Sequence, residues 1–223
     1  MNPTIKSFTL VYGLTADPIH KGHEQVIHNS YTFAAQNDLL ISEFILVPTF
    51  KPNLIAGKKQ PRTAYKHRFA MCELTATELN KKFNYQVNVS DIEKKLFKKT
   101  GLKSFSFDTL TALDKANQLF ILSADHFGGR WPKFRKWYCW QELVKKHGLL
   151  IHQRPGHTVN LTFIKSLKEL NPDIFLIKNL PTVDISSTNL RQKLAKSVMP
   201  DKEHINKRVL NYINSNHLYQ SII

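Results

Sequence analysis

The sequence predicts a parallel α/β sheet with helices on both faces, built by a single domain over residues 1–223 with a small helical portion at its C-terminal end. Two observations carry this expectation. Short apolar, β-rich runs at residues 8–12, 44–47, 85–89, 119–122, 149–151 and 174–177 alternate with segments whose apolar residues recur at helical steps. Such alternation is how strand-helix-strand units build a parallel sheet, whose ligands bind at the carboxyl ends of the strands. The chain of 223 residues also suffices for a full hydrophobic core, and no repeat or low-complexity tract divides it.

Phe8-Thr9-Leu10-Val11-Tyr12 reads as the first strand, and residues 24–37, with Val26, Ile27, Tyr31, Phe33 and Ala34 near helical spacing, read as a helix stopped at Asn37. Phe44-Ile45-Leu46-Val47 is a second strand, ended by Pro48. The loop over residues 49–63 carries Pro52, Pro61 and the cations Lys51, Lys58, Lys59 and Arg62. Residues 64–79 then place Tyr65, Phe69, Cys72, Ala76 and Leu79 on one helical stripe. Residues 85–89 alternate as a third strand, and Ser106 stands where it would cap a short helix over 108–113. Leu119-Phe120-Ile121-Leu122, the clearest buried strand, ends at Ser123-Ala124-Asp125, and an aromatic, basic stretch holding all three tryptophans follows over 131–140. Strands at 149–151, closed by Arg154-Pro155-Gly156, and at 174–177 precede a helix capped by Ser186 or Ser187, with Leu190 and Leu194 four residues apart. Residues 202–214 close the chain as a helix striped by Ile205, Val209 and Ile213.

Composition narrows the function. Residues 1–7 lack the apolar core of a signal peptide, and no apolar run approaches the roughly 18–20 residues that span a bilayer, so the expectation is a soluble, cytoplasmic chain with no membrane partner. Cys72 and Cys139 show no paired spacing and read as reduced, structural thiols. The formal charge of +15 favours anionic partners through long-range steering. A nucleic-acid partner, supported by the aromatic and basic residues between Arg130 and Trp140, is the lesser expectation beside a nucleotide.

The first strand and the first helix are joined by Gly13-Leu14-Thr15-Ala16-Asp17-Pro18-Ile19-His20-Lys21-Gly22-His23. Two imidazoles at a helix N-terminus can aim N–H groups at one anion, and the free amides of the first turn add donors and partial positive charge. Histidines at this spacing also serve as polar surface groups or as metal ligands, but no third ligand lies in the local sequence. The glycine-rich phosphate loops of other nucleotide folds are absent, since Gly57-Lys58-Lys59 runs into Gln60 and no Gly-x-Gly-x-x-Gly occurs.

Together with Ile185-Ser186-Ser187-Thr188-Asn189-Leu190-Arg191, that loop resembles the pair of signatures of the nucleotidyltransferase superfamily, specifically the nicotinate/nicotinamide mononucleotide adenylyltransferases. Further likeness lies in Ser104-Phe105-Ser106, Asp108-Thr109-Leu110, Asp125, Trp137-Tyr138, Arg154-Pro155-Gly156 and residues 209–214. The resemblance implies a Rossmann-like fold and an ATP-dependent enzyme that joins AMP to a mononucleotide and releases pyrophosphate. It implies His20, His23 and Arg191 as catalytic residues, with Gly13, Thr15, Gly22, Asp125, Ser187 and Thr188 binding ATP. Phe105, Ser106, Trp137 and Tyr138 would receive the mononucleotide, with Trp137 stacking on its pyridine ring. Magnesium would enter with ATP, held by phosphate oxygens and water and by no dedicated protein site. Nicotinate mononucleotide is the expected acceptor and nicotinamide mononucleotide the alternative.

The chemistry suits these residue types independently. A phosphate that attacks the α-phosphorus of ATP needs no proton removed at neutral pH, so the work is to bring two anions together and stabilise developing charge. Three positions depart from the family pattern: Leu14 replaces a glycine, Ala16 an aromatic residue and Ser123 a glycine. After Pro48, Thr49 and Leu54 replace the asparagine and histidine common in bacterial members, whereas Lys58-Lys59 and Ala64-Tyr65-Lys66-His67-Arg68 look more like the eukaryotic-type loop and helix.

Overall fold

The computed structural model describes residues 6–53, 60–153 and 156–220. Expectations placed on Leu54, Lys58, Lys59, Arg154 and Pro155 lie outside the described residues. Six parallel strands run in the order β3-β2-β1-β4-β5-β6: β1 Ser7–Leu14, β2 Leu40–Pro48, β3 Val87–Val89, β4 Gln118–Ser123, β5 Gly148–His152 and β6 Ile174–Ile177. The order reverses between β1 and β4, and this switch point opens a crevice beyond the ends of both strands.

Strand residues alternate between two cores. Leu10, Phe44, Leu46, Leu119 and Ile121 face α1 (Lys21–Gln36), α2 (Tyr65–Phe83), α7 (Ser187–Ala195) and α8 (Lys207–Ser215), from which Ile27, Met71, Leu190 and Val209 pack against them. Val11, Ile45, Phe120, Leu122 and Ile151 face α4 (Ser106–Leu113), α5 (Trp140–Lys146) and α6 (Leu161–Leu170), which contribute Leu110, Leu143 and Phe163. The period of two along each strand thus puts helices on both faces. Among the described residues no helix is long and apolar enough to cross a membrane.

Several boundaries differ from the sequence reading for local reasons. The first helix begins at Lys21 instead of Glu24, because His20 caps it. The second runs on to Phe83, where Asn84 takes a left-handed conformation at φ 53° and ends it. Ser106 does not cap the short helix; it is its first residue, and the Asp108 carboxylate instead accepts the Phe105 N–H at 2.9 Å. The last helix starts at Lys207, after Asn206 accepts the Arg208 N–H at 2.8 Å. Within residues 131–140 a 3-10 turn, Lys133–Lys136, precedes α5, and Cys139 sits between them at φ 49°. Two helices without a sequence signal in the reading above, α3 (Ile92–Thr100) and α6, complete the layers.

Candidate active site

The histidines of the loop start their own helix. His20 is the N-cap of α1, and its Nδ1 accepts the Gly22 N–H at 3.1 Å, while the Nδ1 of His23 accepts the His20 N–H at 3.1 Å. Imidazoles thereby satisfy two backbone donors that a serine and a glutamate satisfy in an ordinary capping box. With each Nδ1 committed as an acceptor, each neutral ring carries its proton on Nε2. The rings lie 3.9 Å apart, tilted by 42°, so two N–H donors stand side by side where the helix's partial positive charge is concentrated. Gly22 makes this possible, since a Cβ there would come within 3.0 Å of the His20 ring and 3.4 Å of Ile185 Cγ2.

A second helix start faces the first. Ser186 caps α7 by accepting the Asn189 N–H at 3.1 Å, and the Ser187 hydroxyl donates to the Pro18 carbonyl at 3.0 Å. Arg191 donates from Nη1 to the Asp17 carbonyl at 2.6 Å and from Nη2 to Thr188 Oγ1 at 3.1 Å, which locks the guanidinium against the loop. The Asp17 carboxylate lies beneath, 3% exposed: Oδ2 accepts the Arg62 N–H at 2.8 Å and sits 3.7 Å from Arg191 Nη1, and Oδ1 accepts the Tyr219 hydroxyl at 2.9 Å. Burial, and then the Asp17 charge, push the Tyr219 phenol well above its usual range, so it stays a donor. Arg68, 2% exposed, donates from Nη1 to the Thr15 carbonyl at 2.7 Å and from Nε to the Thr63 carbonyl at 3.1 Å. The loop that carries the histidines is therefore fixed from four directions.

Between the two helix starts lies a crevice of about 290 Å³ whose walls include His20, His23, Asn29, Ser123, His152 and Ser187. No carboxylate belongs to its lining, and among the described residues no group of three or more His, Cys, Asp or Glu side chains is arranged for a metal ion. Two imidazole donors, helix amides and a tethered guanidinium make up a site for a polyanion.

His20, Gly22, His23 and Ser187 line this crevice together, and Arg191 and Thr188 adjoin it through α7. Thr15 is exposed and contributes its carbonyl to Arg68. Asp125 lies in the 3-10 turn Ala124–His126 directly after β4, outside the crevice lining but next to its wall residue Ser123. Gly13 ends near Phe120, and Phe120 packs edge-on against Trp137 with centroids 6.3 Å apart. Trp137 also meets His126 at 5.1 Å and Phe134 at 5.4 Å and is half-buried. Phe105 and Tyr138, both exposed, lie 4.8 Å apart at the start of α4, beside Ser106. Phe105, Ser106, Trp137 and Tyr138 thus lie outside the crevice lining, and Trp137, next in sequence to Tyr138, packs against Phe120 and the turn bearing Asp125.

The departures from the family pattern resolve in opposite ways. Leu14 is 6% exposed and packs into the core, away from the crevice. Ala16 carries the strain, at φ 54°, a left-handed conformation that costs a residue with a Cβ about 1–2 kcal/mol. Ser123 is a crevice wall. Of the nucleic-acid surface expected near residues 130–140, Arg135 is exposed with its guanidinium over the Phe163 ring at 4.6 Å, Trp140 meets Phe134 at 6.1 Å, and Trp131 is exposed. The sequence reading assigned no role to Asp17, Arg68, His152 or Tyr219. Asp17 stood within the quoted motif, but nothing local marks Tyr219 as its partner.

Comparison with known proteins identifies the family. The family described as cytidylyltransferase-like matches residues 11–193. Relatives include the probable nicotinate-nucleotide adenylyltransferase of Acidithiobacillus ferrooxidans, 25% identical over 95% of both chains. That of Shewanella pealeana is 29% identical over 94% of both. Among solved structures, Plasmodium falciparum nicotinic acid mononucleotide adenylyltransferase complexed with NaAD superposes with a TM-score of 0.70 at 22% identity, covering 96% of this chain and 98% of that one. The protein accordingly belongs to the cytidylyltransferase-like family and is a nucleotidyltransferase.

Proposed function

We propose that the protein transfers AMP from ATP to the 5'-phosphate of nicotinate mononucleotide, yielding deamido-NAD and pyrophosphate in the cytoplasm. The observation that carries this reading is the pair of Nε2 donors at the start of α1, sharing a crevice with the start of α7, the helix that bears the tethered Arg191. In the reaction an oxygen of the acceptor phosphate bonds to the α-phosphorus of ATP and the bond to the β-phosphate bridging oxygen breaks. His20 and His23 donate to the α-phosphoryl oxygens as charge builds there, with the Gly22 region leaving room for approach, and Arg191 holds the β- and γ-phosphates. Gly13, Thr15, Ser187 and Thr188 frame the triphosphate, and Asp125 accepts from the adenylyl ribose. Phe105, Ser106, Trp137 and Tyr138 receive the mononucleotide. The donor set suits phosphate oxygens and not a resident metal, so a magnesium ion enters with ATP and neutralises its phosphates.

Relatives of similar length named for nicotinate-nucleotide adenylyltransferase support the acceptor assignment. Nicotinamide mononucleotide is the competing acceptor, giving NAD directly. ATP and magnesium with each mononucleotide in turn, followed by chromatography of the dinucleotide, test both: a higher kcat/KM with nicotinate mononucleotide is expected, and absence of product with either overturns the function.

A further inference from the structure

His152 is the last residue of β5 and a wall of the crevice, 6% exposed. Its Nε2 lies 3.1 Å from Ser30 Oγ, and the Ser30 hydroxyl donates its only hydrogen to the Val26 carbonyl at 2.8 Å. The serine oxygen can therefore only accept, which places the imidazole proton on Nε2 and leaves Nδ1 as a bare lone pair. Among the described residues Nδ1 has no hydrogen-bond partner. Burial holds the ring's pKa down at about 4, so it is neutral and an acceptor throughout the physiological range.

Asn29, at this end of the crevice, is already engaged within the protein. The Asn29 amide donates to the Pro181 carbonyl at 2.8 Å, and its oxygen accepts from Gln25 at 2.9 Å. Val26, Ile121, Leu122 and Val183 supply apolar wall. The crevice thus has a donor-rich end at His20 and His23 and a more apolar end where His152 Nδ1 stands as an acceptor beside Ser123, its register partner across β4 and β5, whose buried hydroxyl also has no hydrogen-bond partner among the described residues. A nucleotide has the matching polarity: an anionic phosphate end and a flat base with N–H donors on its edge.

We propose that His152 Nδ1 accepts a hydrogen bond from the exocyclic amino group of the purine, making His152 the residue that separates ATP from 6-oxopurine triphosphates. The proposal rests on the ATP reading above. A 6-oxo group would set an oxygen lone pair against the Nδ1 lone pair, whereas the amino group of adenine donates. A site built to bond a donor discriminates by leaving its own polar group unpaired when the donor is missing.

The test measures affinity for ATP and ITP by calorimetry, and kcat/KM for both with nicotinate mononucleotide, in the wild type and in His152→Leu and His152→Gln. Wild type should favour ATP. His152→Leu should lose about tenfold in affinity and kcat/KM for ATP while holding or gaining with ITP, and His152→Gln, which retains an acceptor oxygen, should recover the preference. An unchanged ATP to ITP ratio in a folded His152→Leu protein overturns the assignment. Should that variant not fold, the wild type alone decides: purine riboside triphosphate, which lacks the amino group, should bind about tenfold more weakly than ATP, and equal binding refutes the proposal. Absence of dinucleotide from the wild type with any acceptor would defeat the transferase reading instead, and the affinity ratios would still test His152.

Discussion

The Tyr219 hydroxyl bonds Asp17 Oδ1 at 2.9 Å across a separation of 202 residues, so the C-terminal segment holds the loop that bears the histidines. Asp17 is in turn joined to Arg191 and Arg62, which makes its carboxylate the common anchor of α7, the 49–63 loop and the chain end. Tyr219→Phe keeps the ring against the core and removes the hydroxyl, which bonds Thr63 as well as Asp17. Hydrogen bonds to buried charges contribute about 1.5–3 kcal/mol, so a loss of that order in chemical denaturation is expected, together with a several-fold fall in kcat/KM as Arg191 loses its fixed support. A variant with wild-type stability and rate would show that the bond positions nothing.

Arg191, the proposed holder of the β- and γ-phosphates, is also bound to the protein. Arg191→Ala should lower turnover by a factor on the order of 100–1000 and also cost stability, because the buried Asp17 loses its nearest cation. Arg191→Lys should rescue little activity, since an ammonium cannot span the Asp17 carbonyl and Thr188 Oγ1 with the planar geometry seen here. Recovery of more than about a tenth of wild-type turnover by the lysine variant would mean that charge alone suffices. His23→Ala should lose activity on the same scale with a smaller change in melting temperature.

Gly22 separates activity from stability. Gly22→Ala places a methyl group 3.0 Å from the His20 ring, so the imidazole must turn, while the helix itself gains up to about 1 kcal/mol in propensity. The turn also breaks the Nδ1 cap on the Gly22 N–H, which offsets that gain, so the variant should change little in melting temperature and lose at least about tenfold in kcat. Gly13→Ala differs: its Cβ meets Phe120 at 3.7 Å, an ordinary contact, so the fold and the His20 ring should be undisturbed and any fall in kcat/KM reports the approach of the triphosphate.

The six strands and the histidine loop were legible because they depend on local patterns: apolar runs bounded by turn residues, and donor chemistry fixed by short spacing. Strand order was not, since nothing in the run 119–122 says that it lies beside β1 instead of β3. Capping shows the same division. Ser186 was one of two candidates and is the cap, but at α4 the Asp108 carboxylate does the work expected of Ser106. The roles of Asp17 and His152 depend on Tyr219, Arg191 and Ser30, partners brought together only by the packing of distant elements. Leu14 and Ala16 looked equivalent as departures; their backbone angles assign the strain to Ala16 alone.

Glu93 gives the fold a pH dependence that one substitution isolates. Its carboxylate accepts the Phe50 N–H at 2.8 Å just after β2, and burial raises its pKa from the ordinary 4.5 to about 7, against the opposing pull of that bond and of Arg68. An acid whose folded pKa is raised binds more protons folded than unfolded between those values. Its contribution to stability is full below pH 4.5 and is lost as the pH rises to about 7. His147 and His152, both lowered by burial to about 4, act in the opposite sense, with stability lost as the pH falls from 6.5 to about 4. The whole-protein profile mixes these slopes, so the useful quantity is the difference between Glu93→Gln and wild type, in which the histidines cancel. That difference should grow in favour of the variant from pH 4.5 to 7, by on the order of 2 kcal/mol, and stay level above it. Chemical denaturation of both proteins at pH 5, 6, 7 and 8 measures it, and a difference that does not vary with pH would place Glu93 in solvent with an ordinary carboxylate.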